Sequence, residues 1–452
     1  MNRILLLLTS ILFVSVNMNA IDDPLIRKSE QIYQFVLAGQ GDSVHSCLAD
    51  DLKGKLSPVV FNNTFKQLEA QFGKLRSADD WETDTAERIK IYYRNVHFAN
   101  YSMRFLLAFN ADGKMNTIRF MPVPQVSTEK PASFDQTKLE EREIKIQSGK
   151  FTLPGTLTLP KGGKNLPVVV LVHGSGPNDR DETLGPNKPF RDIAWGLAEQ
   201  GIAVIRYDKR TKVYGARSVS EGEEFTLDNE VVDDALAAVR LAKYIPEIDS
   251  KRVYVLGHSL GGMVAPRIAE HGEKQELSPT RKNDLAGIII LAGNARPFED
   301  LLPEQVAYIA SLKDSSDATK AEVEELKRQV ANVKKLGTDA FDPKIPLPLG
   351  VPESYWRSLL AYKQVEVASK LKLPILILQG ERDYQVTMED FGLWRFGLYR
   401  NSNVQFKSYP KLNHLLQEGS GKATPFEYNH ASPVPAYVIA DLANFISGKE
   451  VK

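Results

Sequence analysis

The chain has 452 residues, with 57 lysines and arginines against 57 aspartates and glutamates, so its formal net charge is zero. This balance gives no basic stripe for nucleic acid, and we expect no nucleic-acid partner. Hydrophobic residues make up 42% and charged residues 25%, ordinary values for a globular protein of two or three domains. The single cysteine, Cys47, excludes an intramolecular disulfide. We interpret it as a half-buried structural residue.

The first twenty residues differ from the rest of the chain. Arg3 precedes an almost wholly apolar run from Ile4 to Val16, and Ala20 then stands before acidic residues. Because this run is too short to cross a bilayer, the sequence predicts a secretory signal peptide over residues 1–20. The run ends without a cysteine, which excludes lipid attachment there. We expect a secreted or periplasmic protein with no stable membrane insertion after signal removal; an uncleaved N-terminal anchor is the alternative.

Residues 21–123 have the pattern of a small α+β domain. Helical periodicity over Leu25–Leu37 and Pro58–Phe72 is followed by alternating aromatic and β-branched residues. Asp112-Gly113 is typical of a hairpin turn between two such strands. The titratable residues of this region form no cluster with catalytic spacing. We therefore interpret it as a binding, packing or lid-supporting module.

From residue 141 to residue 452, after a linker over residues 124–140, apolar runs alternate with helical segments. The predicted strands are a leading hairpin over Glu143–Gln147 and Phe151–Leu159, and then Val168–Val172, Ala203–Tyr207, Val253–Leu256, Ile288–Leu291, Ile375–Leu378 and Val404–Tyr409. Near-continuous apolar runs are typical of parallel strands buried on both faces. The pattern predicts an open, doubly wound, mostly parallel α/β sheet, whose sites lie beyond the carboxyl ends of the strands.

One long segment interrupts this alternation. Between about residues 295 and 371 no strand pattern occurs, only helical periodicity rich in lysine and glutamate and then a proline-rich stretch. Long insertions in compact domains are usually functional, so we interpret this one as a helical cap over the site. A solvated helical excursion with no role in access is the alternative.

The strongest functional motif is the sequence GHSLGG at residues 257–262. It follows a predicted strand and opens a predicted helix, which is the context that a nucleophile elbow requires. The glycines two positions before and after Ser259 leave room where side chains would collide with the neighbouring strand and helix. The tight turn lifts the serine oxygen above the sheet edge. We interpret His258 as a residue that packs or hydrogen-bonds locally.

A serine hydroxyl becomes an effective nucleophile when a histidine takes its proton and a carboxylate orients that histidine. Asp383 and His414 each follow a predicted strand, in the chain order serine, acid, histidine. We therefore predict Ser259 as nucleophile, His414 as base and Asp383 as the orienting acid. His430 is the serious alternative for the base. The weaker alternatives for the acid are Glu381, Asp390 and Asp208, the last interpreted as a structural partner for nearby arginines.

The developing oxyanion needs donors that are fixed in advance. The backbone N–H of Leu260, directly after the nucleophile, is one predicted donor. The other is expected from the loop over residues 173–177, which follows the first parallel strand and whose glycines let the backbone approach the substrate. Gly174 and Ser175 are the candidates there. No metal and no cofactor enter this chemistry.

The catalytic region resembles the α/β-hydrolase superfamily from about residue 141 onward. Residues 173–183, 206–210 and 382–386, with the elbow, are similar to bacterial carboxylesterases with prolyl-oligopeptidase-like or dienelactone-hydrolase-like catalytic domains. Members often carry an N-terminal domain termed DUF3887, which residues 21–123 resemble. The resemblance implies a cystatin- or NTF2-like fold for that domain, the same triad, and short-chain acyl esters as substrates.

Three functions are weighed. The leading hypothesis is a secreted serine carboxylesterase that forms an acyl-enzyme with a small-molecule ester. A serine peptidase with the same triad is the alternative, although the N-terminal region shows no repeats of propeller-blade length. A non-catalytic binding protein on a hydrolase scaffold is the third, and the apparent triad argues against it. The run Asn178–Glu182 either binds substrate or anchors the oxyanion loop, and the oligomeric state is left open.

Overall fold

The computed structural model describes most of the chain in two compact units, one up to residue 125 and one from residue 126. The described residues are 23–54, 56–86, 89–99, 102–123, 134–219, 222–279, 281–312 and 317–451. The predicted signal peptide lies outside them. Within these ranges, every helix is too short or too polar to cross a membrane.

The N-terminal unit packs helices against one antiparallel sheet. Its elements are α1 (Pro24–Leu37), α2 (Gly41–Ser46), α3 (Asp50–Lys53), α4 (Pro58–Phe72), β1 (Leu75–Ala78), β2 (Glu82–Ala86), β3 (Ile89–Phe98), β4 (Ser102–Phe109) and β5 (Met115–Pro122). The strand order is β1-β3-β4-β5, and β2 also pairs with β3. Asp23 and Ser57 cap α1 and α4 through their side-chain oxygens. Helices followed by an antiparallel sheet make the predicted α+β unit.

The second unit is built on a mixed sheet of eight strands. The strands of the unit, eight in this sheet and two in a separate small one, are β6 (Leu139–Ser148), β7 (Phe151–Pro160), β8 (Leu166–Val172), β9 (Ala203–Tyr207), β10 (Ile248–His258), β11 (Glu276–Ser278), β12 (Arg281–Lys282), β13 (Gly287–Leu291), β14 (Ile375–Gly380) and β15 (Val404–Tyr409). The sheet order is β15-β14-β13-β10-β8-β9-β7-β6, and β11 pairs with β12 in a separate two-stranded sheet. Strands β15 to β9 are parallel, whereas β7 and β6 are antiparallel. The predicted mostly parallel sheet and leading hairpin are confirmed.

Helices cover both faces of this sheet. The helices of this unit, including those of an insertion, are α5 (Pro189–Glu199), α6 (Arg210–Tyr214), α7 (Asp233–Ala242), α8 (Leu260–Glu273), α9 (Phe298–Ser311), α10 (Asp317–Val333), α11 (Glu353–Ala361), α12 (Gln364–Lys370), α13 (Met388–Leu398) and α14 (Ala436–Ile446). Strand β8 shows why its sequence is apolar throughout. Val168 and Val170 pack with α7 and α8, whereas Val169 and Leu171 pack with α5 and α14. Successive side chains point to opposite faces, and both faces are buried.

Two boundaries position the functional region. β6 begins at Leu139, so residues 139 and 140 belong to the sheet and not to the predicted linker. Helices α9 to α12 form an insertion between β13 and β14. The insertion is tied to the sheet layer, because the Tyr362 hydroxyl donates to the backbone oxygen of Met263 in α8 at 2.9 Å. It therefore stands over the same end of the sheet as the GHSLGG turn.

Candidate active site

Ser259 lies in a strained turn between β10 and α8. Its backbone angles are φ 55° and ψ −118°, a conformation that residues other than glycine rarely adopt. A Cβ on Gly257 would lie 2.0 Å from the backbone oxygen of Gly261, and one on Gly261 would lie 2.2 Å from that of Val172. Both positions therefore require glycine. The Ser259 N–H donates to the Leu291 oxygen at 2.9 Å, which fixes the turn against β13.

Asp383 and His414 meet beyond the ends of β14 and β15. Nδ1 of His414 lies 2.6 Å from Oδ2 of Asp383, and both side chains are buried. Oδ1 of Asp383 accepts the backbone N–H groups of Gln385 and Val386 at 2.7 and 3.1 Å. Because a carboxylate only accepts, Nδ1 carries a proton, and in the neutral ring the lone pair is therefore on Nε2. This is the tautomer that a general base needs.

The His414 loop is held beside the elbow by His258. Nε2 of His258 donates to the backbone oxygen of His414 at 2.9 Å, and the two ring centroids are 4.6 Å apart. Between the described residues, no hydrogen bond joins the Ser259 hydroxyl to the His414 ring. Such bonds often tighten only when the substrate binds. The two chain segments are therefore neighbours, although 156 residues separate His258 from His414.

The competing residues are occupied elsewhere or lie at the surface. Two are exposed: His430 and Glu381. Asp208 accepts from the backbone N–H of Arg180 at 2.8 Å and from its Nη2 at 3.1 Å, which confirms the predicted arginine partnership. Asp390 is fully buried and paired with Arg296 at 2.9 Å. Neither carboxylate contacts His414.

Of the three predicted oxyanion donors, the structure contradicts one and is compatible with the other two. The N–H of Gly174 donates to Oε1 of Glu182 at 2.6 Å, so it is not free for an oxyanion, and the prediction of Gly174 as a donor is corrected. Ser175 is exposed beside this peptide. Leu260 is the first residue of α8, and an N–H at that position has no partner within the helix. Ser175 and Leu260 remain as the candidate donors.

The run Asn178–Glu182 makes contacts within the protein throughout its length. Its side chains bind as follows: Asn178 to the Gly174 and Ser175 oxygens, Asp179 to the N–H groups of Asp181 and Thr183, Arg180 to Glu143 and Asp208, Asp181 to Arg206, and Glu182 to Gly174. These contacts favour the anchoring interpretation over substrate binding. The pattern of charges alone did not distinguish the two, because the partners come from distant strands.

A cavity of about 480 Å³ opens beside Leu260. Its wall is mostly apolar and includes two ring pairs, Phe225 on Tyr355 with centroids 5.4 Å apart and Phe298 on Trp356 at 6.0 Å. Phe298, Tyr355 and Trp356 belong to the helical insertion. A cavity of this size and character suits a small organic ligand. The insertion therefore forms part of the wall of the site.

Both units match known protein families. Residues 164–419, more than half of the chain, match the family model described as serine aminopeptidase, S33, and residues 29–118 match the protein of unknown function DUF3887. The chain belongs to the S33 family of α/β hydrolases. The resemblances seen in the sequence are thereby confirmed.

Individual relatives of this S33 hydrolase include esterases. Esterase EstD of Thermotoga maritima is 35% identical over 407 residues, which cover 90% of this chain and 91% of EstD. Est1E from Butyrivibrio proteoclasticus is 17% identical, with a TM-score of 0.43, over 68% of this chain and 99% of that chain. A hyperthermophilic esterase from the archaeon Pyrobaculum calidifontis is 16% identical, with a TM-score of 0.42, over 68% and 85%.

We expect a buried histidine to make the stability of this S33 hydrolase depend on pH. His173 packs against Phe190 and Tyr207, and burial lowers its pKa from 6.5 to about 4. Between these values the unfolded chain binds a proton that the native state does not. The free energy of unfolding should therefore be intact above about pH 6.5 and lose about 3 kcal/mol through this residue as the pH falls to about 4.

Urea denaturation at several pH values, with His173→Gln beside the wild type, measures this contribution. All other titratable groups are the same in both proteins, so the difference between their free energies of unfolding at each pH isolates the contribution of His173. The variant should show the shallower loss of stability in acid. Parallel curves for the two proteins would contradict the prediction.

Proposed function

We propose that this S33 hydrolase is a serine carboxylesterase that hydrolyses short-chain acyl esters through a Ser259, His414 and Asp383 triad. The observation that carries the proposal is the Asp383–His414 pair, whose side chains are 2.6 Å apart, together with the hydrogen bond from His258, the residue before Ser259, to the His414 backbone. The 35% identity to an esterase over 90% of the chain supports the choice of ester. Export through the predicted signal peptide is part of the proposal, and cell fractionation checks it.

Each residue has a definite part in the proposed reaction. The Ser259 oxygen attacks the ester carbonyl carbon while Nε2 of His414 takes the hydroxyl proton, and Asp383 stabilises the imidazolium. The N–H groups of Ser175 and Leu260 bind the oxyanion. The intermediate collapses as the C–O bond to the alcohol breaks and His414 returns the proton to that oxygen. Water then attacks the acyl-enzyme by the same steps, releasing the acid and free Ser259.

The cavity beside Leu260 supports a small ester as the substrate. Its volume of about 480 Å³ accommodates a short acyl ester with its alcohol group, and the apolar rings of Phe225 and Phe298 desolvate the reacting carbonyl. Removal of water from the site strengthens the hydrogen bonds to the oxyanion.

A peptidase is the second candidate, because the family description names a serine aminopeptidase. An aminopeptidase needs a carboxylate that is free to pair with the substrate's amino group. Glu230 lines the cavity, but its two oxygens already accept from Lys209 and Tyr355. The Glu230 carboxylate is therefore not free to pair with the amino group of a substrate, which favours an ester over a peptide as the substrate.

Initial rates on p-nitrophenyl esters from acetate to palmitate, with amino-acid p-nitroanilides beside them, test the proposal. We expect hydrolysis to peak on the short acyl chains and to be weak on the anilides. Faster cleavage of the anilides would favour the peptidase. The absence of hydrolysis on every substrate would reject catalysis and leave the binding-protein hypothesis.

A further inference from the structure

A cluster of buried charged side chains surrounds the backbone of Gly174, and the triad chemistry does not use it. Glu182, Lys209 and His258 are 6%, 2% and 5% exposed. Burying charges is costly unless each is paired and hydrogen-bonded. Backbone hydrogen bonds would have held a purely structural loop at lower cost, so the position of these charges calls for a physical reason.

Glu182 holds one side of the loop. Its Oε1 accepts the Gly174 N–H at 2.6 Å, and its Oε2 lies 2.9 Å from Nδ1 of His258. The second contact is off the line of a regular hydrogen bond, so it acts as an ion pair. Glu182 itself has φ 52°, a strained backbone angle for this residue type. The surrounding contacts therefore impose this geometry on the loop.

His258 lies between two acceptors, which determines its charge. Nε2 faces the backbone oxygen of His414 and Nδ1 faces Glu182, so both nitrogens must carry protons. Burial by itself lowers the pKa of His258, but the Glu182 carboxylate, with a smaller contribution from Asp383, raises it above its ordinary value. Burial likewise raises the pKa of Glu182, and the charge of His258 brings it below its ordinary value. The pair is an imidazolium bound to a carboxylate.

Lys209 holds the next peptide group of the loop, which joins Gly174 to Ser175. Its Nζ donates to the Gly174 oxygen at 2.9 Å and to Oε1 of Glu230 at 2.5 Å. The second oxygen of Glu230 accepts from the hydroxyl of Tyr355, which lies in the insertion. The Lys209 ammonium is thus fixed by a carboxylate that is itself fixed from the insertion.

These contacts aim one N–H group. In a planar trans peptide the C=O and the N–H point in opposite directions. Because Lys209 binds the Gly174 oxygen, the N–H of Ser175 points away from Lys209. A Cβ built on Gly174 would lie 3.2 Å from the Cβ of Ser259, so this peptide stands directly beside the nucleophile.

We propose that Glu182 and Lys209 are positioning residues that clamp the two peptide groups flanking the Gly174 Cα, one each, and so aim the Ser175 N–H at the oxyanion. His258 completes the clamp by holding Glu182 and the His414 loop together. This inference rests on the proposed esterase function. It assigns to the Asn178–Glu182 run a part in transition-state binding that its anchoring contacts alone do not require.

Glu182→Ala and Glu182→Gln separate the clamp from a general effect on folding. The glutamine oxygen still accepts the Gly174 N–H, and its amide donates to Nδ1 of a neutral His258. Loss of one oxyanion donor costs about 100- to 1000-fold, so a misaimed donor in Glu182→Ala should cost about 10- to 100-fold in kcat/KM. Glu182→Gln should stay within about 5-fold of wild type, because the bond to the Gly174 N–H is kept and a hydrogen bond to His258 replaces the ion pair.

The inhibition constants of two matched ketones distinguish a role in binding the oxyanion from a purely structural role. A trifluoromethyl ketone adds the Ser259 oxygen to its carbonyl and forms an oxyanion, whereas the matching methyl ketone largely stays unreacted. The Ki of the first should rise in Glu182→Ala by the same factor as the loss in kcat/KM, with the Ki of the second within about 2-fold. Asp234→Asn, which breaks a buried pair with Arg210, is the control: it should lower Tm and leave both Ki values unchanged.

A second substitution, on the other side of the clamp, tests the proposal if Glu182→Ala does not fold. Lys209→Met should show the same selective loss of the trifluoromethyl ketone. Equal weakening of both ketones, unchanged kcat/KM in both variants, or a Glu182→Gln as damaged as Glu182→Ala would overturn the proposal. If Ser259→Ala keeps full activity, the proposed function has failed; if it is inactive while the clamp variants resemble wild type, only the clamp has failed.

Discussion

Replacing Ser259 with alanine is expected to lower kcat for p-nitrophenyl acetate by about 10⁴-fold or more, since residual catalysis without a nucleophile comes from binding and the oxyanion donors alone. The fold should remain, because the turn depends on Gly257 and Gly261 and on the bond from the Ser259 N–H to Leu291, which alanine keeps. The free energy of unfolding should change by about 0.5 kcal/mol or less. Initial rates and urea denaturation measure the two quantities.

Ser311→Ala is the matched control for this substitution. Ser311 is an exposed serine at the end of α9, and its hydroxyl donates to the backbone oxygen of Tyr308. This variant should turn over the ester at the wild-type rate. Activity in Ser259→Ala above about 1% of wild type would exceed what the remaining groups supply and would place the nucleophile elsewhere.

Replacing Asp383 with asparagine is expected to lower kcat by about 10⁴-fold, because the proton on the His414 ring moves to the other nitrogen. The backbone N–H groups of Gln385 and Val386 bind Oδ1, so the asparagine oxygen will occupy that position and turn its amide toward His414. A donor then faces Nδ1, which must give up its proton, and the proton moves to Nε2. Nε2 can no longer accept the Ser259 hydroxyl proton.

Steady-state kinetics of Asp383→Asn, with Glu381→Gln beside it, test this argument. Glu381 is an exposed carboxylate two residues away that accepts from Ser408, and its substitution should leave kcat unchanged. A loss of less than about 10-fold in Asp383→Asn would indicate that another acid orients the histidine. An equal loss in both variants would point to disruption of the whole loop.

The sequence by itself determined the architecture of the catalytic unit. Strand β9 has the predicted bounds, because a strand buried on both faces is built mainly from an apolar run, which is visible locally. The half-buried edge strand β15 also has the predicted bounds, which its alternating pattern indicated. The elbow was equally visible, since the close approach at Gly257 and Gly261 demands glycine whatever surrounds it. The helical insertion was visible in the sequence as a long interval without a strand pattern. These features depend on neighbours in the chain.

Only the tertiary structure decided which groups around the nucleophile are free and which are bound. Gly174 and Ser175 were equal candidates by spacing, and the bond from Gly174 to Glu182 separates them. His258 was interpreted as a local packing residue, yet it bonds across 156 residues to His414. Hydrogen bonds and ion pairs between distant segments depend on how the strands are ordered in the sheet. No periodicity or motif carries that information, because each partner is specified only when the chain has folded.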